Sequence, residues 1–233
     1  AGSGLANYAG GVSVGIRQRM KTLLDDLPLG ADIYWQLRGK RKPWSAHYEL
    51  ESLKAVLPQA AADLSSGALV PKDPKKVCLF ASLHYWIEES ALIGLALAGQ
   101  GHSVNLAYLP YAEWDKEISP FDLRRQDLYT RAVFAEAKDW LRLTPLAGES
   151  FPPGQLPAEA LRAVEQVADY DTQYTLQVEE TDKSSTLYRL RYARNLHAAG
   201  ALYAWLRDEK PDVLIVPNGT ILEMGVAYRI ARM

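Results

Sequence analysis

The residues best suited by type to move a proton lie in Ser82-Leu83-His84-Tyr85-Trp86, with Glu88 and Glu89 close behind. Histidine titrates near neutrality, so His84 is suited to take a proton from a hydroxyl at working pH. Glu88 or Glu89 would orient its imidazole or serve as the base instead. Residue type alone leaves open the plainer alternative, in which His84 packs in a polar loop. A second polar segment is Pro217-Asn218-Gly219-Thr220. Gly219 suits a tight turn or close ligand approach. Asn218 suits either the turn itself or a hydrogen bond to a ligand. Both segments lead into helix starts, whose free N–H groups favour an anion or a polar sugar oxygen. The candidate catalytic residues are therefore His84 and Glu88. The candidate ligand-binding residues are Ser82, Tyr85, Trp86, Asn218, Gly219 and Thr220.

Other chemistry-bearing residues read as structural. His102 sits in a turn before a strand, and His47 and His197 fall on predicted helices. The histidines lack zinc-ligand spacing and Cys78 lies inside an apolar run, so a metal site has little support. Thr220-x-x-Glu223 reads as a capping box, in which both side chains serve backbone N–H groups. Arg191 and Arg194 share a helix face at i, i+3 spacing; a solvated face is the first reading and a phosphate contact the second. No G-x-G-x-x-G follows the first strand, and there is no Walker A sequence or G-x-S-x-G elbow. Dinucleotide, P-loop and serine-hydrolase chemistry therefore lack their signatures, and no cofactor is expected.

The elements around these residues alternate. Val12, Ile16, Met20, Leu23, Leu24 and Leu27 space as one helix, and a second is predicted over 47–64. Between them lies Arg38-Gly39-Lys40-Arg41-Lys42-Pro43-Trp44, a basic run flanked by Trp35 and Trp44. It reads as a solvated turn, or as a contact to anionic lipid or phosphate at a membrane surface. Residues 68–75, with Pro71 and Pro74, read as a linker, so residues 1–75 form a helical arm. From Lys76 the pattern is strand 77–81, helix 87–99, strand 103–108, helix 120–140 and strand 141–144. After a Pro- and Gly-rich loop come helices 158–170 and 184–208, strand 213–216 and a last helix opening at Thr220.

Such alternation implies an α/β, Rossmann-like three-layer sandwich with a mostly parallel sheet over 76–233. The expected strand order is 3-2-1-4. Winding then reverses between 77–81 and 213–216, and ligands bind outside the carboxyl ends of strands at such a reversal. That places the two polar segments in one site.

Composition is permissive. The chain has 233 residues, 48% hydrophobic and 23% charged, enough for a core. A net charge of −2 gives no basic excess for nucleic acid. Charges interrupt every apolar stretch before a membrane-spanning length, and one cysteine forms no internal disulfide, so a cytoplasmic setting is expected, with peripheral membrane contact through the basic run. Ala1-Gly2-Ser3-Gly4 lacks the regions of a signal peptide. Residues 226–233 read as the middle of a helix, so the natural protein is expected to continue.

Val77-Cys78-Leu79-Phe80-Ala81, a loop, an Ala/Leu helix and Gly101-His102-Ser103-Val104 together resemble the opening of GT-B glycosyltransferases. Lys210-Pro211-Asp212-Val213-Leu214-Ile215-Val216-Pro217-Asn218-Gly219 looks like the later strand and turn of the same N-terminal domain. The resemblance covers about 76–233. The helical arm resembles extensions on bacterial surface-polysaccharide enzymes. The likeness implies an acceptor-side domain, facing a donor-side domain that these residues do not include. It implies a nucleotide sugar and a glycan or lipid-linked acceptor as partners, and transfer without a metal. His84 would match the base. The first loop departs from the pattern by lacking glycines, and these residues alone would not transfer sugar. The alternatives are a non-catalytic Rossmann-like binding module or half of a sugar-nucleotide epimerase.

Overall fold

A computed structural model describes residues 30–37, 48–67, 69–148 and 155–233. The predicted helix over 12–27, the basic run 38–44 and His47 lie outside the described residues. The elements are α1 (Gly30–Leu37), α2 (Glu51–Gly67), β1 (Lys76–Ser82), α3 (His84–Gly99), β2 (Ser103–Leu109) and α4 (Pro120–Val133). They continue with a 3-10 turn (Phe134–Ala137), β3 (Arg142–Pro145), α5 (Ala158–Leu176), α6 (Thr186–Glu209), β4 (Val213–Ile215) and α7 (Leu222–Ile230).

The four strands form one parallel sheet in the order β3-β2-β1-β4. This is the Rossmann-like arrangement expected from the alternation, with winding reversed between β1 and β4. Side-chain alternation splits the core into two layers. Cys78 and Phe80 face one side and pack with Val164, Val167, Ala198, Leu202 and Val226 of α5, α6 and α7. Val77, Leu79 and Ala81 face the other and pack with Ile87 and Leu95 of α3 and Tyr129 of α4.

The helices form where apolar residues recur at helical spacing. In α3, Ile87, Ala91, Leu95 and Ala98 are buried at steps of three or four. Ser119 caps α4 by accepting the Asp122 N–H, with Pro120 at the first turn. Helix α4 gives way to the 3-10 turn at Phe134, ahead of the expected end near Trp140. Gly101 holds φ +85 in the turn into β2, and a Cβ there would meet the Leu69 carbonyl at 2.4 Å. That turn needs glycine on both counts.

The described residues of the arm pack into this core. Trp35, Tyr48, Leu50, Leu53 and Leu57 belong to the same cluster as Val77, Leu79 and Ile87. Tyr48 bonds Thr130 Oγ1 at 2.7 Å, and the Leu50 N–H donates to the Tyr129 hydroxyl at 3.3 Å. Each fully buried Leu in such a layer stabilises by about 1.5–3 kcal/mol.

Candidate functional site

Strand β1 ends at Ser82, and the chain must turn at once to start α3 at His84. Leu83 makes that turn with φ 70 and ψ 144 while fully buried. Left-handed backbone at a non-glycine costs on the order of 1–3 kcal/mol, and such strain gathers at functional sites. The second segment repeats the device: Leu222 holds φ 55 as α7 begins. Neither α3 nor α7 has a side-chain cap from its N-cap residue, Leu83 or Ile221.

The two segments meet. β1 and β4 pair in parallel with Val77 opposite Val213 and Leu79 opposite Ile215. The same offset carried forward sets Ser82 level with Asn218. The link is closed by a hydrogen bond from Ser82 Oγ to Glu223 Oε2 at 2.8 Å. Glu223 is therefore no member of a capping box. Asn218 takes the turn instead, its Oδ1 accepting the Thr220 N–H at 2.7 Å and the Ile221 N–H at 3.2 Å. Gly219 does not carry a positive φ. A Cβ there would sit 3.3 Å from the Tyr228 ring, so close packing explains it. Thr220 is exposed beside it.

Behind the link lies a buried charge network. Arg194 Nε donates to Glu223 Oε1 at 2.8 Å, and Arg191 Nε lies 2.6 Å from Asp171 Oδ2. Arg191 and Arg194 are 1% and 2% exposed and Glu223 is 1% exposed, which replaces the expected solvated face. Burial pushes the Glu223 carboxyl up, but the Arg194 charge and hydrogen bond, with the Ser82 hydroxyl, outweigh it and hold the group below its usual range. Asp171 goes the other way: burial raises it, and Arg191 only partly opposes this. Its partner Arg191 is a guanidinium, which stays protonated.

His84 is half-buried, its ring edge-to-face with Tyr48 at 6.1 Å and with Tyr85 at 5.2 Å. Glu88 points to the arm, accepting the Leu53 N–H at 3.1 Å. Aromatic edges, rather than that carboxylate, thus frame the imidazole. Tyr85 is exposed, and its ring lies 5.5 Å from that of Trp86, which packs between the two core layers. His102 behaves as expected of a turn residue, its Nδ1 accepting the Lys75 N–H at 3.2 Å.

His197 lies on α6, as expected, and stands beside this network. Its Nδ1 lies 3.1 Å from the Tyr111 hydroxyl, and it feels both Glu223 and Arg194. Burial lowers its pKa, so it is neutral at neutral pH. The missed signal was periodicity: Tyr188, Arg191, Asn195, Ala198, Leu202 and Trp205 step by three or four and are all buried. The arginines lie on the apolar stripe of α6.

Among the described residues, no group of three or more His, Cys, Asp or Glu is placed to hold a metal ion. No described helix is long and apolar enough to cross a membrane. A scan against protein-family models and searches of curated proteins and of solved structures find no match.

Proposed function

We propose that this chain is the acceptor-side domain of a GT-B glycosyltransferase, working in the cytoplasm on a glycan or lipid-linked acceptor of a surface polysaccharide. One observation carries the reading. The loops after β1 and β4, far apart in sequence, are tied together at the carboxyl end of the sheet by Ser82 and Glu223, with half-buried His84 on the helix start beside them. Ligands of open parallel sheets bind at this place. In the proposed reaction His84 takes the proton of the acceptor hydroxyl as its oxygen attacks the anomeric carbon of a nucleotide sugar. The bond from that carbon to the nucleoside diphosphate breaks, and a donor-side domain holds the departing diphosphate.

The test uses a protein that carries both domains and follows nucleoside diphosphate release. His84→Ala should lower kcat by about 100-fold or more, the usual contribution of a general base, with the fold intact by circular dichroism. Unchanged turnover would remove His84 from the mechanism. A second reading, a non-catalytic binding module, draws on the engagement of Glu88 with the arm and of Glu223 with Arg194 and Ser82.

A further inference from the structure

Buried Arg191 and Arg194 have a second set of partners. Arg194 Nη1 donates to the Glu113 carbonyl at 2.6 Å and to the Lys116 carbonyl at 3.1 Å. Arg191 Nη1 donates to the Trp114 carbonyl. The guanidinium of Arg194 lies 4.2 Å from the Tyr111 ring centroid, and that of Arg191 lies 4.9 Å from the Trp114 ring centroid. The loop between β2 and α4 is therefore held by two guanidinium groups whose charges are balanced by Asp171 and Glu223. Such buried pairs are costly to desolvate. What they secure is the backbone of 113–116 and the placement of one indole.

That indole is covered only in part. Trp114 is 43% exposed, at the carboxyl end of the sheet where Tyr85 is 44% exposed. The hydroxyl of Tyr85 feels both Glu223 and Arg194, so the two aromatic groups flank one buried network. The loop reads Glu113-Trp114-Asp115-Lys116-Glu117, three carboxylates against one ammonium. Lys116 Nζ lies 4.0 Å from a carboxylate oxygen of Glu113 and of Asp115.

We infer that Trp114 is a stacking platform for a neutral pyranose ring of the acceptor, with Glu113 and Asp115 accepting hydrogen bonds from its hydroxyls. This rests on the acceptor-side reading and names a binding surface for it. Three features select the ligand. A half-exposed ring on a backbone held by Arg191 offers apolar surface with little ordering cost on binding. Flanking carboxylates accept from hydroxyl donors. The same carboxylates repel a nucleoside diphosphate, so the donor's phosphates are not what this loop holds.

The test labels the full chain with 5-fluorotryptophan and assigns Trp114 by comparison with Trp114→Phe. The probes are methyl β-glucopyranoside, methyl β-galactopyranoside and maltotriose at millimolar concentration, uridine diphosphate, and tetralysine. At least one neutral saccharide should shift the Trp114 fluorine signal saturably, with no such shift from uridine diphosphate. Saccharide affinity, followed by saturation-transfer NMR, should fall about tenfold in Trp114→Ala, the equivalent of about 1.4 kcal/mol. Asp115→Asn should weaken it less, and Trp114→Phe should retain part of it. No response to any saccharide, or a response to uridine diphosphate or tetralysine alone, overturns the platform. If Trp114→Ala does not fold, Trp114→Phe and Asp115→Asn still carry the comparison. Saccharide binding at Trp114 combined with unchanged turnover of His84→Ala would keep the platform and discard the base. Loss of turnover in His84→Ala with no saccharide response at Trp114 would do the reverse.

Discussion

The two ends of the sheet carry similar charges in opposite environments. At the amino end, Lys76 Nζ meets Glu209 Oε2 at 2.8 Å, Arg142 pairs with the same carboxylate, and Asp212 Oδ2 accepts the Lys76 N–H at 2.7 Å. The Lys76 and Arg142 side chains are 40% and 57% exposed around a Glu209 side chain that is 14% exposed, so water reaches these pairs from the cationic side and screens them in part. At the carboxyl end, Arg191, Arg194, Asp171 and Glu223 are all buried. There each charge depends on its partner, because removing one leaves another without solvation. The same chemistry is a surface trimming at one end and a structural commitment at the other. The committed end is also where two strained leucines and the half-exposed Trp114 gather.

The sharpest way to break this contrast is Arg194→Met. Loss of the guanidinium leaves Glu223 charged and buried and frees the carbonyls of Glu113 and Lys116. We expect a loss of about 3–5 kcal/mol in chemical denaturation. Adding Glu223→Gln should recover part of it, since the orphaned charge goes with it. Near-neutral stability of the single variant would show that the network is not holding the loop.

Acid unfolding gives the next effect. Glu223 titrates below its usual value of 4.5 in the folded chain, so the unfolded state binds its proton first as pH falls. Its stabilisation is therefore present above about pH 4.5 and is lost as pH drops through the lower folded value. The wild type should lose stability over this acid range more steeply than Glu223→Gln. Equal slopes would mean that the pair does not couple to folding.

The smallest change belongs to the amino end. Lys76→Met should cost less than about 1 kcal/mol, with added salt reducing the difference further. Its backbone bond to Asp212 does not involve the side chain and should persist. A loss as large as that of Arg194→Met would erase the distinction between the two ends.

Much of this was legible beforehand. The apolar runs at 77–81 and 213–216, the capped start at Ser119 and the Gly101 turn point to a parallel α/β sheet with reversed winding. That reversal points to the loops after β1 and β4, which Ser82 and Glu223 link in the folded chain. The roles within them were harder to read. Glu223 fits a capping box by spacing, yet its partners are Ser82 and Arg194, remote in the chain. Glu88 stands one turn past His84, yet the arm claims it.

What the sequence determined by itself is local: helix periodicity, strand alternation, turn chemistry and the order of elements, because these depend on backbone preferences and on which face is apolar. Tertiary structure alone decided which charges are buried together and which aromatic groups remain open. Those outcomes depend on distances between residues far apart in the chain. Desolvation makes a charge costly or inconsequential only once the sheet has closed around it.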